Sequence, residues 1–149
     1  MTLNFGTPFP QLNDSVRALL MRLVLAQRVT QEGTLLASAA RTATTYSAVQ
    51  TNYGARGAFF WFTVTAFGTG TLSFKLALND PVSGQLEWVL SPTAVSATGY
   101  KIYLVGPFVN SLGNITSAAN GQLPRLWKIG VVHTDASSHT YSVGYQTIV

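Results

Sequence analysis

Cysteine is absent, and ionised side chains are scarce: Asp, Glu, Lys and Arg make up 9% of the 149 residues, against about 25% in an ordinary soluble domain. Without cysteine there are no disulfides, thiolate zinc sites, iron–sulfur clusters or Cys nucleophiles. A chain of this length forms one domain that buries roughly 70% of its unfolded surface, so it needs no such staple. The compartment stays open on this point. Long apolar runs are missing too. The most apolar stretch, Ala18 to Ala26, is broken by Arg22 and falls well short of the ~20 residues that span a bilayer. The first residues lack the basic start of a secretory signal. No phosphate loop, dinucleotide fingerprint or nucleophile elbow occurs. The acids Asp14, Glu32, Asp80, Glu87 and Asp135 form no close pair along the chain, as a paired-carboxylate hydrolase would require on folding.

Apolar residues are present at an ordinary 47%. Thr, Ser, Ala, Asn, Gln and Gly stand where charges would. A surface with so few charges is poorly protected against association. One reading is a Thr- and Ser-rich β-domain that is neutral by composition; the sharper one is a surface largely covered by partners. The net charge of +4 comes from only nine Lys and Arg. Arg17, Arg22, Arg28 and Arg41 lie near the N-terminus and the other five are scattered, unlike the concentrated basic face of a nucleic-acid binder. Neither nucleic acid nor membrane is an expected partner; the charge suits an acidic protein surface at least as well as phosphate.

Residues 1–13 read as an extended arm. Pro8 and Pro10 flank Phe9, and prolines so spaced resist helix and central strand alike. An arm carrying Phe5 and Phe9 is expected to dock. Residues 14–149 read as a single β-rich domain. Asn13, Asp14 and Ser15 suit a helix cap, and Val16, Leu19, Leu20, Leu23 and Val24 recur at helical spacing over 15–28; Arg22–Leu25 also fits a strand.

From about residue 30 the period becomes two. Thr34–Ser38, Ala58–Ala66, Thr71–Leu78, Leu86–Leu90, Tyr100–Val105, Arg125–Thr134 and Tyr141–Val149 read as strands, with turns between them. On this reading Phe60, Phe62, Val64 and Ala66 share one face, as do Leu72, Phe74, Leu76 and Leu78. Residues 106–124 lack periodicity and read as a long loop. The expected fold is mainly β, a β-sandwich or β-barrel-like domain with an N-terminal arm and one short helix.

His133, Asp135, Ser137, Ser138 and His139 hold residue types suited to a zinc site or a Ser/His/Asp triad. The favoured reading is the polar turn of a hairpin joining the last two strands, with no catalytic residue, metal or cofactor. Phe59, Trp61, Trp88, Tyr100, Tyr103 and Trp127 would suit a sugar-stacking platform, with core packing the favoured role for most of them.

Several segments in order resemble a recurrent tailed-phage virion protein. They are Ala40–Thr44, Gly57-Ala58-Phe59-Phe60-Trp61-Phe62-Thr63-Val64-Thr65-Ala66, Gly68–Leu72, Asp80-Pro81-Val82-Ser83-Gly84, Ser96–Gly99, Leu123–Lys128 and Thr140–Val143. The resemblance covers about residues 40–145 and is to the capsid decoration proteins, in particular those of thermophilic siphoviruses. It implies a non-enzymatic virion protein on the capsid exterior, assembled in the host cytoplasm. Its implied partners are itself, as a homotrimer, and the phage major capsid protein. A tail or fibre role and a carbohydrate-binding module are the alternatives. The expected subunit or capsid contacts are Phe5, Pro8, Phe9, Arg17, Arg22, Phe59, Trp61, Phe108, Tyr141 and Tyr145.

Overall fold

Alternating apolar residues fold as strands because each strand can turn one row of side chains into a core and the other row out. The computed structural model describes Val16 and residues 30–80, 82–107 and 115–149. The expected arm over 1–13 lies outside these, as do residues 15–28 apart from Val16, and Phe108. The strands are β1 (Glu32–Arg41), β2 (Thr45–Tyr46), β3 (Gln50–Thr51), β4 (Gly57–Ala66), β5 (Leu72–Asn79), β6 (Leu86–Leu90), β7 (Gly99–Gly106), β8 (Ser117–Asn120), β9 (Leu126–His133) and β10 (His139–Ile148). They form two sheets. The larger has the order β1-β10-β4-β7-β8, and the smaller β2-β9-β5-β6, with β3 also pairing with β9. Every pair is antiparallel except β7 with β8.

The two sheets pack face to face as a sandwich, as the composition and turn spacing imply. The larger sheet contributes Phe60, Phe62, Val64, Tyr103, Tyr141 and Val143 to the core. The smaller contributes Leu72, Phe74, Leu76, Trp127, Ile129 and Val131. Aromatic rings interlock between the layers. Phe74 stacks on Tyr103 with centroids 4.6 Å apart, and Trp127 meets Phe60 edge-on at 5.6 Å. Such pairs add to the burial of the rings themselves.

The structure corrects several sequence readings. The last two strands are not a hairpin, because β9 belongs to the smaller sheet and β10 to the larger. Each buries its apolar row against the other layer, so the turn at 134–138 crosses between sheets. Against β9 the β5 alternation is kept, with Leu72, Phe74, Leu76 and Leu78 opposite His133, Val131, Ile129 and Trp127; the register shift with β6 places an extra residue, Val89, between Trp88 and Leu90. Leu90 is therefore buried while Trp88 is exposed, and Leu78, at the end of the inward row, is 41% exposed. Ala66, expected on the face of Phe60, Phe62 and Val64, is exposed. Residues 106–124 include β8, and 39–55 include β2 and β3. These short segments lack the apolar alternation that announces the longer strands.

Candidate functional site

Register decides which side chains of the larger sheet face away from the core. Phe60 is opposite Tyr103, and Phe62 is opposite Val143; all four are buried. Their neighbours Phe59, Trp61 and Thr63 therefore point outward. Opposite them on β7 lie Leu104, Ile102 and Tyr100, and on β10 lie Gln146, Gly144 and Ser142. Ala118 on β8 sits beside Leu104. No outward position of β4, β7, β8 or β10 carries Asp, Glu, Lys or Arg. Phe59 and Trp61 lie 6.1 Å apart, ring to ring. Trp61 is 36% exposed and Tyr100 69%. The result is an apolar patch on β4 and β7, continued by Ala118 on β8, in which Leu104 is buried; Gln146, Gly144 and Ser142 of β10 form its polar margin. Contiguous apolar strips on a protein surface mark interaction sites more often than scattered single residues do.

Phe59 and Trp61 among the expected contacts belong to this face. Tyr141 does not: it is fully enclosed on the inner side of β10, whose two edges are taken by β1 and β4. The terminal strand therefore has no free edge with which to extend a neighbour's sheet. Tyr145 is half-buried and packs edge-on against Trp127 at 5.5 Å. Phe5, Pro8, Phe9, Arg17, Arg22 and Phe108 lie outside the described residues. Tyr100 and Ile102 were missed as candidate contacts. Their alternation was visible in the sequence, but the face they share with Trp61 depends on the pairing of β7 with β4.

The second constellation is the polar cluster at the crossing between sheets. The β9–β10 connection packs against the β4–β5 connection. The Gly68 amide donates to His139 Nδ1 at 3.3 Å, and Ser137 Oγ lies 3.0 Å from His139 Nε2. Thr69 Oγ1 donates to Asp135 Oδ2 at 2.9 Å, and the Thr69 amide donates to Ser137 Oγ at 3.1 Å. Asp135, Ser137 and His139 thus converge.

The bonding nonetheless differs from that of a triad. Because Nδ1 accepts from Gly68, the proton of the neutral ring sits on Nε2 and points at the serine. A serine nucleophile needs that nitrogen as its base and the carboxylate on Nδ1; here Asp135 lies 3.8 Å from Nε2. These groups instead clasp two connections together. His133 Nε2 pairs with the Tyr141 hydroxyl at 3.1 Å. Among the described residues no three of His, Cys, Asp and Glu are grouped to hold a metal ion.

No protein-family model and no curated protein matches this chain.

The aromatic residues expected as a sugar platform divide three ways. Tyr103 and Trp127 are in the core, Phe59, Trp61 and Tyr100 lie on the outer face of the larger sheet, and Trp88 faces out from the smaller one. There it is joined by Tyr46, which sequence reading did not single out. Tyr46 is opposite Gly130 on β9, and a Cβ on Gly130 would lie 2.8 Å from the Tyr46 ring. The missing side chain lets Tyr46 lie close over the backbone. The Trp88 indole reaches the other side of the same glycine. Lys75 sits 4.8 Å from the Trp88 ring and Lys128 5.1 Å from the Tyr46 ring, so both ammonium groups gain cation–π contacts.

The clasp makes stability depend on acid in two stages. Hydrogen bonds from the Ser137 side chain and amide, then from Thr69, lower the Asp135 carboxyl to about 2. The His133 ring is lowered chiefly by burial, then by the neighbouring His139. For both groups the unfolded chain binds the proton more readily, so folded stability is full above the ordinary pKa and declines as pH falls. The melting temperature is expected to drop first below the ordinary histidine value of 6.5 and again from about 4 towards 2. Replacing Asp135 by Asn should shrink the second drop in a thermal-melt series, the remainder belonging to Asp80, whose carboxyl is also lowered by hydrogen bonds from the Ser83 side chain and the Val82 amide. An unchanged low-pH slope in D135N would show that the clasp does not couple folding to that carboxyl.

Proposed function

We propose that the chain is a structural virion protein that binds the outer surface of a tailed-phage capsid. It acts as a homotrimer and stabilises the expanded shell by clamping neighbouring major capsid proteins. The observation that carries this reading is the charge-free outward face of β4, β7, β8 and β10, with Trp61 and Tyr100 accessible on it. Charge depletion with aromatic enrichment is the composition of an interface core. A protein that binds only the assembled lattice stabilises it by mass action, and a trimer engaging several subunits at once gains avidity without any chemical step. Light scattering of the full chain is expected to give three times the 16.0 kDa chain mass. Its addition to expanded empty capsids of the cognate phage is expected to raise the temperature at which they break open. A stable monomer with no affinity for those capsids would refute the proposal.

A second reading, a carbohydrate-binding module, is favoured by Tyr46 and Trp88 flanking Gly130 on the smaller sheet. Aromatic rings lying along a sheet can stack on pyranose faces. Glycan-array binding that disappears in Trp88→Ala and persists in Trp61→Ala would support it. Absence of binding to any glycan would remove it.

A further inference from the structure

Six cations lie in the described residues, Arg41, Arg56, Lys75, Lys101, Arg125 and Lys128, and three of them are occupied. Arg41 donates to the carbonyls of Ala37, Ala39 and Tyr141 and lies over the Tyr141 ring. Lys75 and Lys128 lie over Trp88 and Tyr46. Arg56 and Arg125 are different. Both are exposed, both line one cleft of about 620 Å³, and neither makes an ion pair among the described residues. The cleft thus gathers two of the six described cations.

The cleft is held in shape by Asn52. Its Oδ1 accepts from the amides of Gly54 and Ala55 at 3.0 and 2.7 Å. Its Nδ2 donates to the carbonyls of Ala55 and Leu123, both at 2.9 Å. One side chain thus ties the loop that carries Arg56 to the segment that leads into Arg125. The backbones of the two arginines are pinned as well. The Arg56 amide donates to the Ile148 carbonyl at 2.7 Å, the Leu123 amide to the Arg56 carbonyl at 3.1 Å, and the Asn52 amide to the Arg125 carbonyl at 2.7 Å. Tyr53 and Gln122 complete the polar wall. Among the described residues no carboxylate side chain lines the cleft; Glu32 lines a neighbouring groove that shares Tyr53.

We propose that this cleft binds an oxyanion, a phosphate or carboxylate group held between the Arg56 and Arg125 guanidinium groups. The cleft's size is within the range of small-ligand sites, roughly 300–1,000 Å³. Its polar lining disfavours an apolar ligand. Arginine's planar fork matches two oxygens of a carboxylate or phosphate, which makes it the usual residue for such recognition. The preset backbone limits the ordering that binding would require. The site is separate from the apolar face of the larger sheet and does not depend on a capsid role.

The test is a nuclear magnetic resonance titration of the full chain at fixed ionic strength, with inorganic phosphate in one arm and glutarate in the other, and sodium chloride as the reference. Saturable shifts confined to the amides of 52–56 and 121–126 are expected in at least one arm, and the responding arm assigns the oxyanion class. Arg56→Gln and Arg125→Gln should each weaken binding about tenfold, the usual scale for losing a hydrogen bond to a charged group. A Lys75→Gln/Lys128→Gln variant, which removes as much charge as both arginines together, should bind as the parent does. Shifts equal to those given by chloride, or equal loss in the lysine variant, would overturn the proposal.

Discussion

Replacing Phe74 by alanine is expected to cost about 3–5 kcal/mol of stability, the range for deleting a buried aromatic side chain. Phe74 is fully enclosed and stands on β5 where the two layers meet. Its ring lies 5.7 Å from Phe60, 6.1 Å from Phe62 and 4.6 Å from Tyr103. All three of those residues belong to the other sheet. Alanine would leave a cavity bordered by rigid rings, which cannot collapse into it as flexible aliphatic chains might. A domain of ordinary stability holds only about 5–15 kcal/mol in total, so a large part of the folded population would be at risk. Urea unfolding at one fixed protein concentration is the measurement, with the midpoint expected to fall and the slope to stay constant. Phe59→Ala, one strand position from Phe60 but on the outer face, is the comparison and should cost much less. A loss in F74A no larger than in F59A would mean that the aromatic interlock does not hold the layers together.

The second large effect concerns the outer face. Trp61→Asp is expected to weaken binding to expanded capsids by roughly 30- to 1,000-fold, the range that corresponds to a tryptophan hot spot of about 2–4 kcal/mol. Trp61 sits on the apolar patch, between Gly144 on β10 and Ile102 on β7. A carboxylate there would have to be desolvated with no partner, because no outward position on these strands offers a cation. The fold itself should tolerate the change, since the side chain is 36% exposed and lies off the core. Val82→Asp, at a turn position that is 93% exposed, is the control and should bind as the parent does. Capsid binding by W61D equal to that of the parent would remove this face from the interface.

Much of the core was legible because period-two alternation is a local property of the chain. Phe60, Phe62 and Val64, then Leu72, Phe74 and Leu76, then Trp127, Ile129 and Val131, can be read as inward rows without knowing what they face. The candidate surface was half legible. Trp61 and Phe59 stood out as a second apolar row on their strand, but Tyr100 and Ile102 join them only through the pairing of β7 with β4. The clasp at His139 was legible only as a cluster of residue types. Asp135, Ser137 and His139 stood out together along the chain, but their meeting with Gly68 and Thr69 depends on two connections crossing between sheets at the same end.

The amino-acid sequence by itself determined that this protein is a cysteine-free, mainly β domain with few charges and with strands able to build two packed layers. These are properties of composition and of neighbours two residues apart. Only the tertiary structure decided that β9 and β10 sit in opposite layers, that an extra residue in β6 parts exposed Trp88 from buried Leu90, and that Arg56 and Arg125 share a cleft. Those outcomes depend on which strands hydrogen-bond to which. Pairing between segments scores of residues apart is set by how whole faces pack together, and no local pattern specifies it.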